Sequence, residues 1–165
     1  MKKLTSLFIA CTLSLCAALS SCGSDSSKNK PTTPATILYA EFESIMDSNA
    51  DIPLSELATE LSTNEIIPFA PVVMPIQEGY LPGFTTEIKG FTDGYFFGPM
   101  IGSIPFAGYV FTSDKPEALI SLLKDKVDLR WNICTSADEI ITGSVNTTVY
   151  CVLAPLSFEA DEDAE

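Results

Sequence analysis

The chain has 165 residues, with 22 acidic and nine basic side chains and no histidine, which gives a net charge of −13 at pH 7. A surface so acidic does not attract the phosphates of nucleic acids or the headgroups of anionic lipids, and neither is expected as a partner. The missing histidine removes the commonest general base, the commonest metal ligand and every Ser–His or Cys–His nucleophile pair. Enzymes are therefore disfavoured, although carboxylate chemistry is not excluded.

Residues 1–21 have the organisation of a secretory signal peptide. Two lysines precede an uncharged run from Leu4 to Leu19, and this order is typical of export signals. A bilayer-spanning helix needs about 20 apolar residues, so the run is short for an uncleaved membrane anchor. A second interpretation is ordinary cleavage near Ser20 or Ser21, which would release a soluble protein.

The leader ends in Leu19-Ser20-Ser21-Cys22. An aliphatic residue, two small residues and a cysteine resemble the lipobox of bacterial lipoprotein signals. The resemblance covers the leader alone, and it implies that residues 1–21 are removed and that Cys22 is lipidated, for example with palmitate. Two or more acyl chains hold a protein firmly at a bilayer. The membrane is therefore a predicted partner, through the N-terminal lipid.

A tether and two helices are predicted after the cysteine. Residues 22–36 contain Ser, Gly, Asn, Thr and two prolines, which is typical of a flexible, solvated tether. Apolar side chains at helical spacing predict a helix over 37–48 and a second, short helix over 53–62. Removal of the leader with its two lysines changes the net charge to −15.

The middle of the chain predicts extended structure. Four prolines and two glycines over 64–83 indicate short extended pieces joined by turns. Residues 94–113 carry no charge, but their glycines and prolines disfavour one long helix. Two strands at about 94–100 and 105–112 fit better, so this stretch is interpreted as core sheet and not as a membrane span.

The clearest helix is predicted over 115–132. Asp114 or Ser113 is the expected N-cap, with Pro116 in the first turn and Glu117 at the spacing of a capping box. Apolar residues at helical spacing predict its buried stripe. The stripe consists of Leu119, Leu122, Leu123, Val127 and Trp131.

Two strands are predicted to close the domain, over 139–145 and 148–156, with a hairpin at Asn146-Thr147. The element order predicts an α+β fold, with a small, mainly antiparallel sheet packed on one main amphipathic helix and an additional N-terminal helix. A single domain is expected over 37–156. Residues 157–165 are expected to form an acidic, disordered tail.

Residues 80–155 resemble, by pattern, a family of small bacterial lipoproteins known only as a domain of unknown function. The residues that carry the resemblance are GYFFGPMIG, IPFAGYVFTSDKPEALISLLKDKVD and TVYCVLA. Two features depart from the family: Pro105 stands where members often carry an acidic residue, and 62–80 looks like an insertion. The resemblance implies the architecture and an envelope location, and it brings no activity or catalytic residues.

Cys134 and Cys151 remain after the leader and the proposed anchor. An even number of cysteines in an exported chain suggests one disulfide, which would close a loop of about 17 residues. The alternative is a pair of buried free thiols that behave as small hydrophobic side chains.

Several local patterns are assigned to structure. The segment DSNAD, 47–51, imitates the start of a calcium loop but lacks the later glycine and glutamate, so turn chemistry is expected. Asn146-Thr147-Thr148 matches a glycosylation acceptor by chance. The carboxylates expected to be solvated are Glu41, Glu43, Asp138, Glu139, Glu159, Asp161, Glu162, Asp163 and Glu165. No catalytic, cofactor-binding or metal-binding residue is predicted.

The aromatic side chains of the uncharged stretch are expected to pack in the core, and the alternative is a surface that stacks on a sugar or a peptide. They are Tyr95, Phe96, Phe97, Phe106, Tyr109 and Phe111.

Two functional classes remain. The first is a lipid-anchored binding or structural module of the bacterial cell envelope, outside the cytoplasm, that docks an envelope protein or a small ligand. The second is an envelope hydrolase that uses carboxylate or serine chemistry without histidine. A pocket holding a carboxylate of raised pKa would favour the hydrolase. An exposed apolar patch or an unpaired strand edge would favour the binding module.

Overall fold

The computed structural model describes residues 30–132 and 134–158. The predicted signal peptide, the lipidation site Cys22, most of the tether and the tail acids lie outside these residues. From Pro31 onward the described chain belongs to one compact unit. Within the described part, no helix has both the length and the apolar character needed to cross a bilayer.

A five-stranded sheet forms the centre of the molecule, and every neighbouring pair of its strands is antiparallel. In spatial order its strands are β1 (Pro71–Pro75), β4 (Asp93–Pro99), β5 (Ala107–Thr112), β7 (Thr148–Ala154) and β6 (Glu139–Val145). Two short strands, β2 (Gly79–Tyr80) and β3 (Glu87–Ile88), pair separately. The helices are α1 (Pro34–Ser48), α2 (Leu54–Ser62) and α3 (Pro116–Lys126). The predicted α+β class is confirmed.

Helices lie on both faces of this sheet. On one face, called here the closed face, α1 packs on β6 and β7 while α2 packs on β5, β4 and β1. On the other, the half-open face, α3 packs on β6 and β7. Because side chains alternate along a strand, the strands contribute side chains to two separate cores, one on each face of the sheet. The single main helix of the prediction is thus one of two helical layers.

A buried tyrosine ties each face to its covering segment. On the closed face the Tyr150 hydroxyl donates to the carbonyl of Ala35 at 3.0 Å. On the half-open face the Tyr109 hydroxyl donates to the carbonyl of Pro82 at 2.7 Å. Burial raises the pKa of both phenols well above the usual value, so both remain neutral donors.

The first helix begins three residues earlier than predicted. Thr33 is its N-cap, the Thr33 hydroxyl and the Thr36 hydroxyl complete a capping box, and Pro34 occupies the first turn. Proline is favoured there because its missing N–H would have no partner in a helix start. The end of the predicted tether is therefore helical.

The third helix ends six residues earlier than predicted. Val127 is extended and bridges to Phe84, and the amide of Thr85 donates to the Lys126 carbonyl at 2.9 Å. The segment before β3 thus pairs with backbone groups at the end of α3 that a longer helix would use for its own hydrogen bonds. The predicted cap is also wrong, because Lys115 is the N-cap and makes no side-chain cap bond.

Phe158, the last described residue, packs on the folded domain. Phe158 packs edge-on against Phe69, with ring centroids 5.8 Å apart, and against Phe106 at 6.0 Å. This residue, placed in the disordered tail by the sequence, belongs to the edge of the closed-face core.

Candidate functional site

The half-open face is covered over only part of its width. Helix α3 reaches β6 and β7, and Phe84 and Phe91 pack on Tyr109 and Phe111 of β5. No described helix packs on this face over β4 and β1. Strand alternation places Phe96 there, opposite Met74 across the ladder.

A groove fills this uncovered part, with a volume of about 740 Å³. Phe96, Phe106 and Trp131 form its aromatic walls. Its polar groups come from Ser103 and Asn132, and from Cys134. None of the described residues that line it is charged, although the chain is strongly acidic. We call it the β1–β4 groove.

Three large apolar side chains project from its rim. Met100 is 80% exposed, Ile101 69% and Met74 43%. Exposed side chains of this kind are ordinary when scattered, but these three border one concavity, and such clustering marks interaction surfaces. Methionine adapts its shape easily, so two of the three rim residues can fit several partner shapes.

The loop that carries Met100 and Ile101 is hydrogen-bonded to the loop that follows α3. The side-chain amide of Asn132 donates to the Ile104 carbonyl at 3.3 Å, and the Thr135 hydroxyl donates to the Ser103 carbonyl at 3.4 Å. A Cβ added at Gly102 would touch only the Asn132 side-chain oxygen, at 3.5 Å. Two segments distant in sequence thus hold the groove together.

The two cysteines do not form the predicted disulfide in the structure. Cys134 is free and exposed beside the groove, whereas Cys151 is free and fully buried in β7. Burial raises the pKa of the Cys151 thiol above its usual range, which disfavours the reactive thiolate. Cys151 therefore behaves as the small apolar residue of the alternative interpretation.

The aromatic stretch divides between core and groove. Phe97, Phe106, Tyr109 and Phe111 are buried, as predicted. Phe96 is half-buried and lines the groove. Tyr95 is half-buried against the closed-face core, and Phe106, although it lines the groove, is only 2% exposed. Phe96 thus contributes to an accessible surface, which was the alternative interpretation.

Two of the predicted carboxylates that lie in the described part of the chain have structural partners. Glu41 accepts a hydrogen bond from the Asn64 side chain, and Asp138 accepts one from the amide of Leu156 at 3.0 Å. Both are thus used structurally and are not merely solvated. One oxygen of Glu139 is buried without a hydrogen-bond partner.

The remaining sequence patterns lie at a helix end and in turns. Asp47 belongs to the exposed last turn of α1, Asn49 to Asp51 form the exposed turn that follows it, and Asn146 occupies the hairpin turn with φ of 53°. In the described part of the chain, no group of three or more potential metal ligands of the Asp, Glu, Cys or His type occurs.

A second, smaller cavity of about 440 Å³ lies near the start of α3. Its lining mixes charges of both signs, from Glu78, Lys89, Asp114 and Lys115. The Lys89 ammonium already pairs with Glu87 at 2.6 Å, and the amide of Gly90 donates to Glu78 at the same distance. Because Lys89 and Glu78 are already engaged, and because this cavity is smaller, the β1–β4 groove is the better candidate.

The sequence did not single out the groove. Met74, Met100 and Trp131 lie far apart along the chain, and Met100 and Ile101 lie where the strand predicted at about 94–100 ends. The one available signal was the uncharged GPMIG segment, since exposed turns are usually polar.

Comparison of the chain with family models, with curated proteins and with solved structures finds no match.

Proposed function

We propose that the chain is a lipid-anchored binding module of the bacterial cell envelope, and that the β1–β4 groove receives the apolar side of an amphipathic, basic segment of a partner protein. The observation that carries the binding role is the uncharged groove with three exposed apolar residues on its rim. Lipidation of Cys22 supplies the anchor.

The rim favours a protein segment over a small ligand. Small-molecule sites enclose most of their ligand, whereas Met100 and Ile101 project into solvent. Burial of such a side chain contributes about 1.5 to 3 kcal/mol. A helix laid along the groove would cover both, in the manner of helix-in-groove recognition.

The charge of the chain favours a basic partner. The groove itself is uncharged while the whole chain carries −13. A segment with leucine-like side chains toward the groove and lysines toward its surroundings would gain from both properties, and its association rate would fall as salt rises.

The hydrolase alternative lacks a supporting observation. Ser103 is the hydroxyl side chain that lines the groove, and the described lining residues include no carboxylate that could act as its base.

Binding can be measured with a model peptide of about 18 residues, five helical turns, that places leucines on one face and lysines on the other. A scrambled peptide of identical composition is the peptide control. We expect the ordered peptide to bind the purified full-length protein, and the M100E/I101E double variant to bind it at least about tenfold more weakly.

Leu156→Glu is the matched protein control, because Leu156 is 56% exposed and lies outside the groove. It should leave the affinity for the ordered peptide unchanged. Equal binding of the scrambled peptide, or equal losses for the rim and control variants, would refute the groove as the site.

The anchor is tested separately by the intact mass of protein extracted from membranes. A species that begins at Cys22 and carries acyl chains is expected. A lipid-free mass that begins near residue 22, or an uncleaved leader, would refute the anchor and leave the groove proposal standing.

A further inference from the structure

The two edges of the central sheet differ in their capacity to add another strand. At the β1 edge, the amide of Ile76 donates to the carbonyl of Gly94 in β4. Because backbone direction alternates, Met74 and Val72 also point toward β4. Pro71, Val73 and Pro75 then face outward, and only Val73 has an N–H to offer. Proline at outward positions is a known protection of sheet edges.

The β6 edge has no such protection. The amide of Ser113 donates to the Thr147 carbonyl, so alternate residues of β7 face β5 and the others face β6. In the β6–β7 register, the residues whose backbone N–H and C=O groups point away from β7 are Ile140, Thr142 and Ser144. In the described ranges, these three make no hydrogen bond outside the sheet ladder. Residues 140–145 contain neither proline nor charge.

We infer that the β6 edge pairs with the β6 edge of a second copy, antiparallel and about a two-fold axis at Thr142. This register pairs all seven residues of the strand. It places Ile140 opposite Ser144 of the second copy, and Glu139 opposite Val145. No two like charges therefore face each other, although the chain as a whole is strongly acidic.

A second observation points to the same centre. The hydroxyl oxygen of Thr142 is buried and has no hydrogen-bond partner. In the proposed register Thr142 faces Thr142 of the second copy, and threonine pairs across strands form hydrogen bonds between their side chains. Rotation about χ1 would give each hydroxyl the partner it lacks within one copy.

The effect of salt on binding distinguishes a second copy at the β6 edge from a strand of another protein. Two copies of a chain with charge −13 repel each other, so added salt should strengthen their association. A basic peptide bound at the same edge would be weakened by salt instead.

The register is tested by disulfide cross-linking of the full-length protein in a background where Cys11, Cys16, Cys22 and Cys134 are replaced by serine, which leaves only the buried Cys151. Hydrogen-bonded antiparallel pairs place Cα atoms about 5.5 Å apart, within the range of a disulfide. The I140C/S144C double variant should cross-link to a covalent dimer under mild oxidation. Each single variant alone should not cross-link, and a mixture of the two singles should.

Three further variants control the result. Thr142→Pro removes the central outward N–H of each copy without touching the β6–β7 ladder, and should lower the cross-linked fraction about tenfold. Ser144→Asp, which leaves backbone bonding unchanged, should weaken self-association in the same direction. Val73→Cys on the proline-bounded edge should give no covalent dimer.

Sedimentation of the unmodified full-length protein completes the test. A dimer that strengthens with salt supports the inference. A monomer at all concentrations, cross-linking of either single variant as strong as that of the double, or a dimer unaffected by Thr142→Pro and Ser144→Asp would overturn it.

Discussion

The closed and half-open faces are built on the same five strands, yet they are covered to different extents. Two helices extend across the closed face from β6 to β1, and its large side chains are almost fully buried. On the other face α3 stops at β7, and Phe96 is left half-buried beside exposed Met100. The difference separates two tasks: the closed face stabilises the fold, and the uncovered part of the other face is available for a partner.

The largest expected difference concerns the two thiols. Cys134 lies at the uncovered part and Cys151 beneath the covered part of the same face. In native protein Cys134 should react readily with a disulfide reagent. Cys151 should react at least about a thousandfold more slowly, because it must wait for the core to open at a cost of about 5 kcal/mol or more. Mass spectrometry of the labelled peptides measures both rates, and a requirement for prior reduction would instead indicate the disulfide.

Two adjacent phenylalanines of β4 allow the packing of the two faces to be compared directly. Phe97 is fully buried on the closed face, and Phe96 is half-buried on the other. Phe97→Ala should cost about 3 to 5 kcal/mol of unfolding free energy, and Phe96→Ala about 1 to 2 kcal/mol. Urea denaturation of both variants measures the costs. Equal losses would mean that the groove side is as well packed as the closed face.

Replacement of two glycines by alanine tests how easily the side chains on each face move to accommodate an added methyl group. A Cβ at Gly108 would clash with the Phe97 ring, and one at Gly98 would lie 2.6 Å from the Phe96 ring. Phe97 is enclosed, whereas Phe96 can turn into the groove. Gly108→Ala should therefore destabilise by about 1 to 3 kcal/mol, and Gly98→Ala by less. Thermal unfolding compares them, and a larger cost at Gly98 would contradict this account.

The smallest effect is expected from the two tyrosine hydroxyls. Tyr150→Phe and Tyr109→Phe should each cost about 1 to 2 kcal/mol, since each removes a hydrogen bond from a buried hydroxyl to a backbone carbonyl. Their pKa values are raised above that of an unfolded tyrosine, about 10. The contribution to stability is therefore complete below pH 10 and is lost as the pH rises above it. Unfolding measured from pH 8 to 11 should show a shallower decline in each variant than in the parent.

Local sequence patterns predicted most of the elements but not their assembly. The uncharged run, whose glycines and prolines disfavour a helix, located β4 and β5, and the helical spacing located α1 and α2. The end of α3 escaped prediction because Phe84, more than 40 residues earlier, bridges to Val127. The groove escaped prediction for the same reason: its walls meet only after the sheet has formed, and no local pattern records where a helix stops short of a strand.

The two prolines of β1 have a consequence for the size of any assembly. A sheet with two open edges can add copies at both ends and grow into a fibre. Because Pro71 and Pro75 blunt one edge, the described central sheet of each copy offers a single strand-pairing site, through β6. Pairing there uses up that site on both partners, so growth ends at two copies.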